Sequence, residues 1–136
     1  MKLTDFSEAG FAGWNRFSPD EHRAEPRDIW KARRFIEEHA HEHLSLVRVA
    51  SAVGINATHL SEKFKQVTGI KFVDYVARTR FEKARELLDD VDFRISEIAF
   101  TVGFQSLSQF NRVFKKLSGK SPSQYRAMNL RSRKRR

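Results

Sequence analysis

The sequence predicts an all-α fold of seven helices, arranged as two helix-turn-helix subdomains joined by a long linking helix. Three observations predict it. Apolar residues recur at three- and four-residue steps in successive stretches, the period of a helix with one buried face. Proline and glycine punctuate those stretches at the places where helices start and stop. The same two-helix unit also occurs twice: VASAVGINATHLSEKFKQVTG, from Val49, returns as IAFTVGFQSLSQFNRVFKKLSG, from Ile98.

In chain order, residues 1–26 read as an arm. Gly10, Gly13, Pro19 and Pro26 interrupt any helix there, and Phe6, Phe11, Trp14 and Phe17 are expected to dock it on the body or on a partner. The first helix starts after Pro26, with Ile29, Ala32, Arg33, Ile36 and Ala40 on one stripe. His39 and His43, at its end, are four apart, a spacing that metal ligands also use. With no third ligand beside them, no metal site is assigned. A short helix over 46–53 stops at Gly54, and the next opens at Asn56 or Ala57, ends at Gly69, and turns Leu60, Phe64 and Val67 inward.

The longest helical pattern runs from Phe72 to Leu88, about 25 Å at 1.5 Å per residue. Phe72, Val76, Phe81, Ala84, Leu87 and Leu88 form its apolar side, flanked by Arg78, Arg80, Lys83 and Arg85. A short helix, Ile95 to Val102, leads to another whose apolar face is Phe104, Leu107, Phe110, Val113, Phe114 and Leu117. The last helix starts at Pro122 and ends near Met128, and RSRKRR after it is expected to be disordered in the free protein. These boundaries define an arm (1–26), a first subdomain (27–71), a linking helix (72–90), a second subdomain (91–129) and a basic tail (130–136).

Charge narrows the partner. The chain of 136 residues carries a net charge of +9. Residues 1–43 are net −2, residues 44–130 net +6 and residues 131–136 net +5, so the basic character lies in the body and tail. A polyanion is the implied partner, and nucleic acid is the commonest. The absence of cysteine excludes disulfide and thiolate chemistry. No apolar run is long enough to span a bilayer, and MKLTDFSEAG lacks the apolar core of a secretion signal. A soluble, cytoplasmic, nucleoid-associated protein is expected.

The repeat carries the architecture. Val49/Ile98, Ala50/Ala99, Val53/Val102, Gly54/Gly103 and Ile55/Phe104 match at an offset of 49, and Leu60/Phe110, Phe64/Phe114, Lys65/Lys115 and Gly69/Gly119 at 50. In each copy an alanine four residues before a glycine lets two helices cross closely, and the glycine makes the turn. The second helix of such a unit suits the DNA major groove. The polar face of the second copy, Gln105, Ser108, Gln109, Arg112, Lys115 and Lys116, contains donors and cations and no acid.

These residues resemble the AraC/XylS family of bacterial transcription regulators. The resemblance covers about residues 29–128, and its signature is ISEIAFTVGFQSLSQFNRVFKKLSGKSPSQYR, Ile95 to Arg126, with Arg80, Ala84 and Leu87-Leu88 in the linking helix. It implies a homeodomain-like, two-subdomain unit that binds double-stranded DNA. By position it implies base-facing roles for Thr58, Ser61 and Glu62 in the first recognition helix and for Ser108, Gln109, Asn111 and Arg112 in the second. Arg112 suits guanine and Gln109 suits adenine. Phosphate contacts are implied for Asn56, Lys65, Gln105, Ser106, Lys115, Lys116, Ser123 and Arg126, while His59 either touches the backbone or packs. Glu62 stands where many members carry arginine, so the second helix is expected to dominate. Lys63 stands where the family usually has an apolar residue. No sensor domain fits in this length, which implies a short, stand-alone member or the DNA-binding end of a longer regulator. The linking helix can set the separation of two grooves within one monomer, and the two recognition helices differ in sequence, so a monomer on an asymmetric site is expected. RNA polymerase as partner and activation as outcome are implied by the resemblance.

Two other functions compete. A nonspecific nucleic-acid-coating protein would rely on the basic face and tail, with a steep salt slope and little discrimination. An enzyme would need a paired nucleophile and base, a phosphate-binding glycine loop or a metal triad; none is visible, so no catalytic residue and no cofactor is assigned.

Overall fold

A computed structural model describes residues 25–134. The arm's Phe6, Phe11, Trp14 and Phe17, and residues 135–136, lie outside the described residues. Seven helices follow in order among the described residues: α1 (Arg27–His39), α2 (Leu46–Val53), α3 (Ala57–Thr68), α4 (Phe72–Leu87), α5 (Ile95–Thr101), α6 (Leu107–Ser118) and α7 (Pro122–Lys134). No strand occurs among these residues.

Two cores form, and α4 belongs to both. Ile29, Ala32 and Ile36 of α1, Val49 and Ala50 of α2, and Leu60 and Phe64 of α3 close on Phe72, Tyr75 and Val76 in the first half of α4. Phe81, Ala84 and Leu88, farther along, close instead on Ile98, Ala99, Val102, Phe104, Phe110, Phe114 and Leu117. Burying each large side chain contributes about 1.5–3 kcal/mol. Serving two cores buries α4 on more than one side. Arg78, expected on a flank, is 1% exposed, and Tyr75 and Thr79 are buried beside it. Burial lowers the Arg78 pKa to about 10, against the opposing charge of Asp74.

The duplication extends into the hydrogen bonds. Asn56 Oδ1 accepts from His59 N–H (2.7 Å) at the start of α3, and Ser106 Oγ accepts from Gln109 N–H (3.0 Å) at the start of α6. Thr68 and Ser118 each donate back to the fourth carbonyl before them, Phe64 and Phe114, at 2.7 and 2.8 Å. An edge-on ring pair closes each unit: Phe64 with Tyr75 at 5.2 Å and 82°, Phe114 with Tyr125 at 5.3 Å and 76°.

An arginine also closes each unit, from the helix after its recognition helix. Arg80 of α4 donates from Nε to the Ala40 carbonyl (2.8 Å) and from Nη2 to Glu42 (2.9 Å), past the end of α1. Arg126 of α7 donates from Nε to Leu88 (3.0 Å) and from Nη2 to Asp90 (2.9 Å), past the end of α4. Carbonyls at a helix C-terminus lack intrahelical partners and favour a cation. Burial lowers the Arg80 pKa, the cost of placing a guanidinium there.

Several expectations change. Val67 is 38% exposed rather than inward, because the last turn of α3 passes the end of the first core. The last helix does not stop near Met128: α7 runs to Lys134, so residues 131–134 are helical rather than disordered. No glycine or proline follows Pro122, arginine and lysine are good helix formers, and cations suit a C-terminal end. Lys63 fits its place without an apolar chain, since its Nζ pairs with Asp28 Oδ2 of α1 at 2.9 Å.

Candidate nucleic-acid interface

The exposed side of α6 carries the site. Ser108, Asn111, Arg112, Lys115 and Lys116 are all exposed, and their steps of three and four place them on one face. Phe110, Phe114 and Leu117 anchor the opposite face in the second core, so α6 is a fixed rod with a free polar side. Arg112, Lys115 and Lys116 make no ion pair among the described residues, which leaves their charge for an external anion. The matching side of α3 presents Thr58, His59, Ser61, Glu62 and Lys65, all exposed. Its only acid is Glu62, also unpaired among the described residues. His59 does not pack into the core, which settles that alternative in favour of exposure.

The capping residues keep chemistry to spare. Asn56 and Ser106 accept with their oxygens, so the amide hydrogens of one and the hydroxyl hydrogen of the other remain free for a phosphate oxygen. Gln109 is half-buried, and its Oε1 accepts from Gln105 N–H at 3.0 Å. A bidentate adenine contact needs both amide atoms, and in this state Gln109 offers its donors alone. Gln105 reaches the first unit, with Nε2 3.1 Å from His43 Nδ1.

Helix α7 divides its expected pair. Ser123 is exposed in the first turn of α7, where backbone N–H groups suit an anion. Arg126 is directed elsewhere, with two donors held by the carbonyls beyond α4. Sequence reasoning gave no contact role to Lys120 and gave Arg131 one only as part of the basic tail; both line an open cleft with Ser123, Gln124, Ala127, Met128 and Ser132. The signal for Arg131 was the basic run itself, once it is read as helix.

The two histidines have separate partners. His39 stacks on Phe35 with centroids 4.1 Å apart and its Nδ1 lies 3.0 Å from the Phe35 carbonyl, while His43 turns to Gln105. Among the described residues no three potential ligands cluster, and no helix is long and apolar enough to cross a membrane.

Comparison with known proteins places this geometry. A family model described as a helix-turn-helix domain matches residues 49–128. A Staphylococcus aureus protein described as an uncharacterized HTH-type transcriptional regulator is 40% identical over 92 residues, which make up 68% of this chain. The match spans 12% of that protein's length. Among solved structures, the C-terminal domain of AraT, a response regulator from Geobacillus stearothermophilus, superposes with a TM-score of 0.73 at 36% identity, covering 76% of this chain and 86% of that one. A Chromobacterium violaceum transcriptional regulator described as AraC-type gives a TM-score of 0.68 at 28% identity, covering 74% and 89%. The fold described above is the one these solved structures share over about three quarters of the chain, and the chain belongs to the AraC/XylS-type helix-turn-helix family.

Proposed function

We propose that the chain is a sequence-specific DNA-binding transcription regulator that lays α3 and α6 in adjacent major grooves of one asymmetric site. The observation that carries this reading is the exposed stripe of α6, where unpaired Arg112, Lys115 and Lys116 lie beside Ser108 and Asn111 on a helix fixed by its other face. Arg112 reads a base edge, with guanine the best fit, while Lys115, Lys116 and Lys65 hold phosphates. Thr58, Ser61 and Glu62 read the second groove, and the Glu62 carboxylate, repelled by phosphate, accepts from a cytosine amino group. Asn56, Ser106 and Ser123 add phosphate contacts through their free donors. Two unlike recognition helices in one monomer make dimerisation unnecessary for a bipartite site. Activation, with RNA polymerase as partner, and a nucleoid-associated place in the cytoplasm complete the proposal. Catalysis has no part in it.

Selection of bound duplexes from a randomised pool tests this, run with the full chain and with residues 131–136 removed. An enriched asymmetric site with two motifs one helical turn apart, surviving truncation, supports the reading. Absence of enrichment, with binding lost on truncation, supports a coating protein that works through α7 and its basic end.

A further inference from the structure

The joint between the two units is built from close polar contacts. Gly103, in the turn of the second unit, has φ +111°, and a Cβ placed there would fall on the Ala40 carbonyl oxygen and lie 2.8 Å from Arg80 Nε. The turn of the second unit therefore sits directly on the end of α1, with Arg80 beside it. Arg80 is fixed in turn by its bonds to the Ala40 and Glu42 carbonyls, and Lys83, one turn on, donates to the Glu37 carbonyl at 2.6 Å. At the surface, His43 of the first unit meets Gln105 of the second, just before α6 begins. The equivalent glycine of the first unit, Gly54, has open space around it, so this packing is a property of the joint and not of the turn.

We propose that this joint fixes the separation and phase of α3 and α6, so that the chain binds only DNA whose two half-sites lie at one spacing, with Arg80 as the positioning residue. This rests on the DNA-binding reading above. One base pair added to B-DNA moves a half-site by about 3.4 Å along the axis and about 35° around it. A hinged pair of readers absorbs that change. A pair clamped through Arg80, Gly103 and His43 has to give up one groove.

The test uses the full chain and the duplex enriched in the selection, with one base pair inserted or removed between its two motifs. The wild type is expected to lose about tenfold or more in affinity for either altered duplex. Arg80→Gln keeps a polar group but loses the fork to the two carbonyls, and is expected to bind all three spacings within about threefold of one another. His43→Ala, an exposed residue outside the DNA-contacting set, is expected to relax the penalty in part. Equal wild-type affinity for the three spacings overturns the proposal while leaving DNA binding intact. A uniform loss in Arg80→Gln, with the spacing profile unchanged, also overturns it, since that is the mark of a purely structural residue. If Arg80→Gln does not fold, as judged by circular dichroism, His43→Ala decides alone, and an unaltered penalty there overturns the proposal. A pool that yields no enriched site defeats the functional reading itself, and this proposal with it.

Discussion

Alanine at Gly103 is expected to destabilise the protein far more than alanine at Gly54, although the two glycines occupy equivalent places in the repeat. At Gly54 φ is 83° and a Cβ would meet nothing within 4 Å. An L-residue there carries left-handed strain alone, about 1 kcal/mol. At Gly103 φ is 111°, and the new Cβ would collide with a backbone oxygen rather than a side-chain end that can swing away. The Ala40 carbonyl is itself held by Arg80 at 2.8 Å, so the turn has to retreat and pull that contact apart. A hydrogen bond to a charged group is worth about 1.5–3 kcal/mol, and the backbone strain adds to it. The total comes to about 2.5–4 kcal/mol against about 1 at Gly54. At 136 residues the chain lies between the size classes for which 1 kcal/mol is worth about 4–8 °C and about 2–4 °C, so at about 4 °C per kcal/mol the melting temperatures should differ by about 6–12 °C. Thermal and urea unfolding followed by circular dichroism measure both variants side by side. Coincident unfolding curves would refute the reasoning, because they would mean that the Ala40–Gly103 approach relaxes at no cost.

Other outcomes follow from the same contacts. Arg112→Ala should cost about 1–3 kcal/mol on the preferred site and relax selection at one base pair, whereas Lys115→Ala should weaken all duplexes alike and flatten the salt slope by about one; binding isotherms across salt concentrations separate the two. Removing residues 131–136 deletes five cations and should reduce the salt slope without changing the selected sequence. Burial raises the Asp28 pKa, but the Lys63 hydrogen bond and charge, with the Ile29 N–H, outweigh it and hold the carboxyl below its ordinary 3.8. A lowered folded value stabilises above the unfolded pKa and is lost as the pH falls through the folded one. Lys63→Met should therefore be less stable than wild type by about 0.5–1 kcal/mol near neutral pH, and urea titrations should show the gap closing in acid. Tyr75→Phe keeps the ring pair with Phe64 but removes the hydroxyl that accepts from Arg33 Nε (3.1 Å) and donates to Glu37 (3.0 Å). Stranding those groups should cost about 1–3 kcal/mol, measured by urea unfolding.

Most of the helical framework was legible because its punctuation is local. Ser45, Asn56 and Ser106 cap the helices that follow them, and the glycines at 54, 69 and 119 close the helices before them. The apolar stripe of α1 was read residue by residue and is buried as read, including Arg33, whose cation meets Glu25 at 2.8 Å. Periodicity failed where a residue's surroundings come from distant chain. It treats α4 as a helix with one buried side, so Arg78 looked like a flank; a second core on the other side is a tertiary fact. Arg126 looked like a phosphate ligand because position in a motif does not show which carbonyls lie within reach. The exposed stripe of α6 was legible apart from its first turn, where Gln109 is half-buried and Leu107, read as inward, is 39% exposed; beyond it exposure is the complement of a strong apolar face. The joint at Gly103 was legible in part. The glycine was visible, but nothing local distinguishes it from Gly54, and what lies against it begins 63 residues earlier, at Ala40.

The sharing of α4 also shows what α7 does for the second unit. Each unit opens with one helix and is closed by the next unit's opening helix, so the scheme is a short array with overlapping members. In that scheme α7 stands where a third unit would begin, since it closes the second through Tyr125 and Arg126 as α4 closes the first through Tyr75 and Arg80. The outer side of α7 differs from that of α4: Ser123, Gln124, Arg131 and Ser132 are exposed and polar, where α4 carries Phe81, Ala84 and Leu88 for a second core. A polar back of this kind is what the capping members of stacked-repeat proteins turn to solvent. By this reasoning α7 closes the second core as α4 closes the first and, among the described residues, opens no third.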